Sequence, residues 1–202
     1  MVLDDYFVAH KTEPTYDYEA LARSRAANDK EERLKEESKV KKSILETCHL
    51  TGVSPSQLGL KYYSGNYDAN SQEVFSPLSS GNSMGTGSEI SLQVARYNGK
   101  IRWAEFGDNH GGGDLNDQES FCFDEDGRLR IHLFSKVDRP KEVPVESNYS
   151  VEYDNEGHFI PEKIKFKSSD QALSGFDPET PPKPKFSRVY ELEQRLHSAH
   201  SE

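Results

Sequence analysis

Ser91-Leu92-Gln93-Val94-Ala95-Arg96-Tyr97-Asn98-Gly99-Lys100-Ile101-Arg102-Trp103-Ala104-Glu105-Phe106 is the stretch that decides the fold. Apolar and polar residues alternate on either side of Asn98-Gly99, the dipeptide that best tolerates the positive φ angles of a tight hairpin turn. The pattern recurs twice: Glu119–Phe134 pivots on Asp124-Glu125-Asp126-Gly127, and Tyr149–Phe166 on Asp154-Asn155-Glu156-Gly157. Three hairpins in succession predict an antiparallel meander. Leu129-Arg130-Ile131-His132-Leu133 shows the cleanest alternation. The apolar positions from Leu92 to Phe166, Trp103, Ile131 and Leu133 among them, are expected on one buried face.

A sheet with one apolar face needs a cover. Upstream, Ala20-Leu21-Ala22 through Lys30-Glu31-Glu32-Arg33-Leu34-Lys35-Glu36-Glu37 has a helix-forming composition, but Leu34 is the only strongly apolar residue between Ala27 and Lys39. Apolar groups gather on one side later, at Val40, Ile44, Leu45 and Cys48. A helix docked over Glu36–His49, with a solvated beginning, is the expected cover. Downstream, Asp177-Pro178-Glu179-Thr180-Pro181-Pro182-Lys183-Pro184 reads as a stiff linker, and Phe186, Val189, Tyr190, Leu192 and Leu196 recur at helical spacing.

The predicted fold class is therefore α+β. An antiparallel β-meander of about six to eight strands packs on an N-terminal helix, with extended or partly disordered tails. The boundaries are 1–35 for a polar arm and frayed helix, 36–167 for the helix-plus-sheet domain, and 168–202 for the linker and a short amphipathic helix. That last helix either docks on its own domain or offers its stripe to a protein partner.

Composition narrows the function. The formal net charge is -10, so phosphate backbones and anionic membranes are repelled unless a basic patch intervenes. No apolar run approaches the ~20 residues that span a bilayer, and Asp4-Asp5 follows Met1-Val2-Leu3 where a signal-peptide core would run, so the expectation is either an intracellular chain or one whose targeting segment has been removed. Cys48 and Cys122 are too few for a zinc site or a disulfide framework. They form either one long-range disulfide or two buried thiols, and the thiols are the expectation.

Three stretches suggest chemistry. Gly81-Asn82-Ser83-Met84-Gly85 resembles the nucleophile elbow of serine hydrolases, and His110-Gly111-Gly112-Gly113 resembles the oxyanion loop of some lipases. An elbow needs a helix leaving the serine, whereas Glu89–Val94 leaves with strand periodicity, so a hydrolase using Ser83 ranks last. Ser43–Tyr63 resembles the helix-turn-helix of bacterial repressors, with Gly52-Val53-Ser54 in the turn and Leu58 in the second helix. That resemblance implies DNA binding through the lysines between Lys39 and Lys61. Gly59 and Tyr62-Tyr63 depart from it, and no arginine is placed to read a guanine. The segment 107–118, with Asp108, His110 and Asp114, has oxygen donors for calcium, but a solvated connection is the expected reading.

Without a nucleophile–base pair or a ligand set, no cofactor is expected. The leading expectation is a non-enzymatic protein- or ligand-binding module. Its site is sought on the uncovered sheet face around Trp103, Arg130 and His132, or in the 107–118 connection.

Overall fold

The structure, a computed structural model, describes residues 18–67, 73–78, 90–110, 115–138, 144–170, 177 and 179–198. The chain divides into two compact units, Met1–Val40 and Lys41–Glu202.

Helix α1 spans Tyr18–Thr47. Its part within the first unit is polar all round, and even Leu34 is 58% exposed. Ion pairs along the helix, Glu31–Lys35 at 2.7 Å and Glu36–Lys39 at 3.1 Å, support it locally.

The second unit is built on an eight-stranded antiparallel sheet of order β2-β1-β3-β4-β5-β6-β7-β8. The strands are β1 Gly59–Tyr67, β2 Glu73–Leu78, β3 Ile90–Tyr97, β4 Lys100–His110, β5 Leu115–Phe123, β6 Leu129–Asp138, β7 Val145–Glu152 and β8 Lys165–Ser168. From β3 to β8 the chain meanders in order, as its turn residues require. Asn98 and Gly99 take φ of 50° and 79°. The carboxylate of Asp124 accepts the backbone N–H groups of Asp126 and Arg128, and that of Asp154 accepts those of Glu156, Gly157 and His158. β2 is an edge strand, which is why it tolerates Pro77.

The apolar face carries Phe75, Leu92, Val94, Phe106, Phe121 and Val151, all buried. The C-terminal end contributes to its cover. Phe186 and helix α2 (Val189–Ser198) bring Leu192 and Leu196 into the same core. The tail expected beyond residue 167 thus contributes core residues, and its apolar stripe is occupied by its own sheet.

The end of α1 lies in the second unit, where Ile44 and Leu50 are buried. Cys48 is disulfide-bonded to Cys122 with a Cα–Cα distance of 5.3 Å, which corrects the expectation of two thiols. Strand alternation explains the geometry. Phe121 and Phe123 stack on the core side, so Cys122 between them points to the other face. The bond closes a sequence separation of 74 residues, a loop whose lost unfolded-state entropy corresponds to about 4 kcal/mol.

Two further expectations change. The resemblance to a helix-turn-helix lacks its second helix: Pro55–Gln57 makes a single 3-10 turn, and β1 begins at Gly59. The 107–118 connection is mostly strand, since β4 runs to His110 and β5 starts at Leu115, with Asp108 opposite Asp117. Ser83 and its neighbours, Gly111–Gly113 and Asp114 lie outside the described residues.

Candidate ligand cavity

A cavity of about 880 Å³ opens where the C-terminal segment crosses the ends of the second and third hairpins. Its construction begins at Gly127. That residue sits at φ 74°, and a Cβ there would meet Val189 Cβ at 3.2 Å, so a side chain would strain the turn and press on the start of α2. The approach is fixed by two backbone bonds, Val189 N–H to Gly127 O at 2.9 Å and Leu129 N–H to Ser187 O at 3.2 Å. Between them Arg128 and Arg188 form an isolated antiparallel bridge. Glu191 secures the helix start by accepting the N–H groups of Ser187 and Arg188 at 2.7 and 3.2 Å.

Lys185 anchors the far end of the same segment. Its ammonium pairs with the Glu73 carboxylate and lies 4.0 Å over the Phe106 ring, while its backbone N–H donates to Glu119 Oε2 at 3.1 Å. The floor is Leu129, Tyr153 and Phe186, all buried. Burial, and secondarily the negative charge of Glu119, push the Tyr153 phenol up to about 12, so it remains a neutral hydrogen-bonding group at ordinary pH. Arg128 Nη1 donates to Asn155 O at 3.1 Å. Among the described residues neither Arg128 nor Arg188 has a carboxylate partner.

The described side chains among those singled out in the sequence, of Trp103, Asp108, Arg130 and His132, do not assemble into one site. His132 is completely buried; it stacks on Phe121 with centroids 5.4 Å apart, and its Nε2 meets Glu119 Oε2 at 3.0 Å. It is a core histidine. Trp103 is buried on the other face, opposite Cys122 on β5. Arg130 reaches Asn155 Oδ1 and lies 3.9 Å from Asp124, at the end of the sheet. Asp108 is buried and accepts the Tyr67 hydroxyl at 2.7 Å. His110 closes β4 with its backbone.

The physical reason is a pair of β-bulges. One, between β3 and β4, makes Arg102 an extra residue, and one between β5 and β6 does the same to Arg130. Each reverses the alternation, so Trp103 and Ile131 turn away from the face that holds Ile101 and Leu129.

Two other features carry less. Asp154, Glu156 and His158 lie close enough to share an ion, but they are turn residues, Glu156 and His158 exposed, and backbone donors, His158 first, hold the Asp154 carboxyl below its usual range. On the sheet face opposite the apolar core, a hollow of about 400 Å³ includes Glu105, Gln118, Ser120, Asn148, Lys165 and Lys167. Desolvation raises the Glu105 carboxyl above its usual range, against hydrogen bonds from Gln118 and Ser120.

No family model matches this chain, and no curated protein or solved structure matches it significantly.

Proposed function

We propose that the protein is a non-enzymatic ligand-binding module whose site is the cavity between the C-terminal segment and the hairpin ends. One observation carries the reading: a volume of about 880 Å³, within the range of small-molecule sites, with Leu129, Tyr153 and Phe186 as a buried floor and charged side chains at its rim. Ser187 is the only aliphatic hydroxyl among the described lining residues, and it is committed to the Glu191 carboxylate at 3.0 Å. That arrangement caps a helix rather than arming a nucleophile.

The Cys48–Cys122 bond fits service in an oxidising compartment. Among the described residues no helix is long and apolar enough to cross a membrane.

Gln194 lines the cavity from the exposed side of α2, so Gln194→Trp fills the space without entering the core. With the full-length chain and the fluorescent probe N-phenyl-1-naphthylamine, one-to-one binding is expected, together with amide NMR shifts at Leu129, Tyr153 and Phe186. The substitution is expected to weaken that binding at least ~10-fold, the loss of about 1.4 kcal/mol. Unchanged binding in the variant, or shifts confined to other residues, would sink the reading.

A further inference from the structure

We infer that the ligand of this cavity is an anion, bearing a phosphate, sulfate or carboxylate group that docks between the guanidinium groups of Arg128 and Arg188. The inference rests on the cavity being a ligand site and adds the chemical class of what it takes.

The pairing of the two arginines is the first support. Directly opposed residues of an antiparallel bridge hold their Cβ atoms about 4.5–5.5 Å apart, and like charges so placed repel. Arg128 Nη1 has the Asn155 carbonyl as an acceptor, and neither arginine is ion-paired among the described residues. Among the acids on the wall, Glu191 is engaged by the helix cap, Glu73 pairs with Lys185 through Oε1 while its buried Oε2 has no hydrogen-bond partner, and Glu156 lies 3.6 Å from His158 Nδ1. A bound anion converts the opposed charges into a two-armed clamp.

Composition is the second support. The chain carries 35 acidic against 25 basic residues, yet Arg128, Lys183, Lys185, Arg188 and Arg195 all line this one cavity against three glutamates. Clustering against so acidic a background produces a local field that draws anions. The third support is the chemistry of the group itself. Guanidinium is planar, stays charged and presents paired donors that match two oxygens of a phosphate, sulfate or carboxylate. Both arginines are half-buried, which strengthens such contacts relative to open water. With Leu129, Tyr153 and Phe186 beneath, the fitting ligand joins an anionic head to an apolar or aromatic body.

Two probes that differ chiefly by one sulfonate test this. On the full chain, 1-anilinonaphthalene-8-sulfonate is expected to bind at least ~10-fold more tightly than neutral N-phenyl-1-naphthylamine, a ratio corresponding to about 1.4 kcal/mol. Arg128→Gln and Arg188→Gln are each expected to remove that preference while leaving the neutral probe unaffected, and Arg188→Lys to restore part of it. Competition by inorganic phosphate, sulfate and acetate then tells which head group the clamp prefers.

In the absence of any probe, Arg188→Gln should leave the melting midpoint unchanged or higher, because a repulsion is removed. A fall of several degrees would mean that Arg188 is a structural residue and would overturn the proposal. Equal binding of both probes, insensitive to the arginine substitutions, would leave a ligand cavity without anion selectivity. Binding of neither probe at the cavity removes both readings.

Discussion

The two helices of this protein invert the usual relation between length and importance. α1 has 30 residues and α2 has 10. Yet Leu192 of α2 is completely buried and Leu196 nearly so, whereas the α1 residues from Ala22 to Glu36 are all exposed. The difference lies in the side chains. α1 owes its helical conformation to alanines, glutamates, lysines and arginines that stabilise a helix locally without giving it a face. α2 has weaker intrinsic support but a stripe that starts with Phe186 outside the helix and continues through Val189, Leu192 and Leu196. Helix propensity makes an element; an apolar stripe makes it part of a fold.

Removing the short helix is the largest available perturbation. A chain ending at Asp170 loses Phe186, Leu192 and Leu196 from the core. Truncating even one buried leucine to alanine costs about 2–5 kcal/mol, and whole-domain stability is only about 5–15 kcal/mol. The shortened chain is expected to lose its cooperative thermal transition and its near-ultraviolet circular dichroism. If it melts cooperatively at the temperature of the full chain, α2 is dispensable and the contrast between the helices collapses.

α1 does have one firm anchor, and breaking it comes next. Replacing Cys48 and Cys122 together by alanine is expected to cost about 4 kcal/mol in urea-induced unfolding, from the closure entropy of a long loop. Trp103, opposite Cys122 on the neighbouring strand and the only tryptophan, reports the change by its fluorescence. A loss under about 1 kcal/mol would show that burial of Ile44 and Leu50 holds the end of α1 without the bond.

Much of this architecture was legible in the sequence because turn chemistry is local. Asn98-Gly99 and the two Asp-x-x-Gly turns specify the meander within a few residues of themselves, and the helical stripe after Pro184 was visible as well. Pairing across the chain was not. Nothing near Arg102 or Arg130 marks them as bulge residues, so strict alternation put Trp103 on the face of Ile101 and Ile131 on that of Leu129, when each lies on the opposite one. The cavity was hidden for the same reason. Arg128 follows a turn and Arg188 precedes a helix, and only the backbone bonds of Leu129 to Ser187 and of Val189 to Gly127 bring them together. Lys185 and Glu73, equally remote in sequence, form the other anchor of that crossing.

The smallest expected effect is the sharpest test of what α1 does for the domain. Its ion pairs, Glu31–Lys35 and Glu36–Lys39, have side chains 66–74% exposed, and pairs of that kind contribute about 0.3–0.5 kcal/mol each. They stabilise the helix against its own unfolding rather than against the rest of the chain. Deleting residues 1–35 therefore leaves Val40, Ile44, the disulfide and Leu50 in place, and the thermal midpoint is expected to move by less than about 2 °C. A drop of several degrees would mean that the polar length of α1 steadies its anchored end. The contrast between the helices would then be one of mechanism, local propensity in one and core packing in the other, with both needed for the fold.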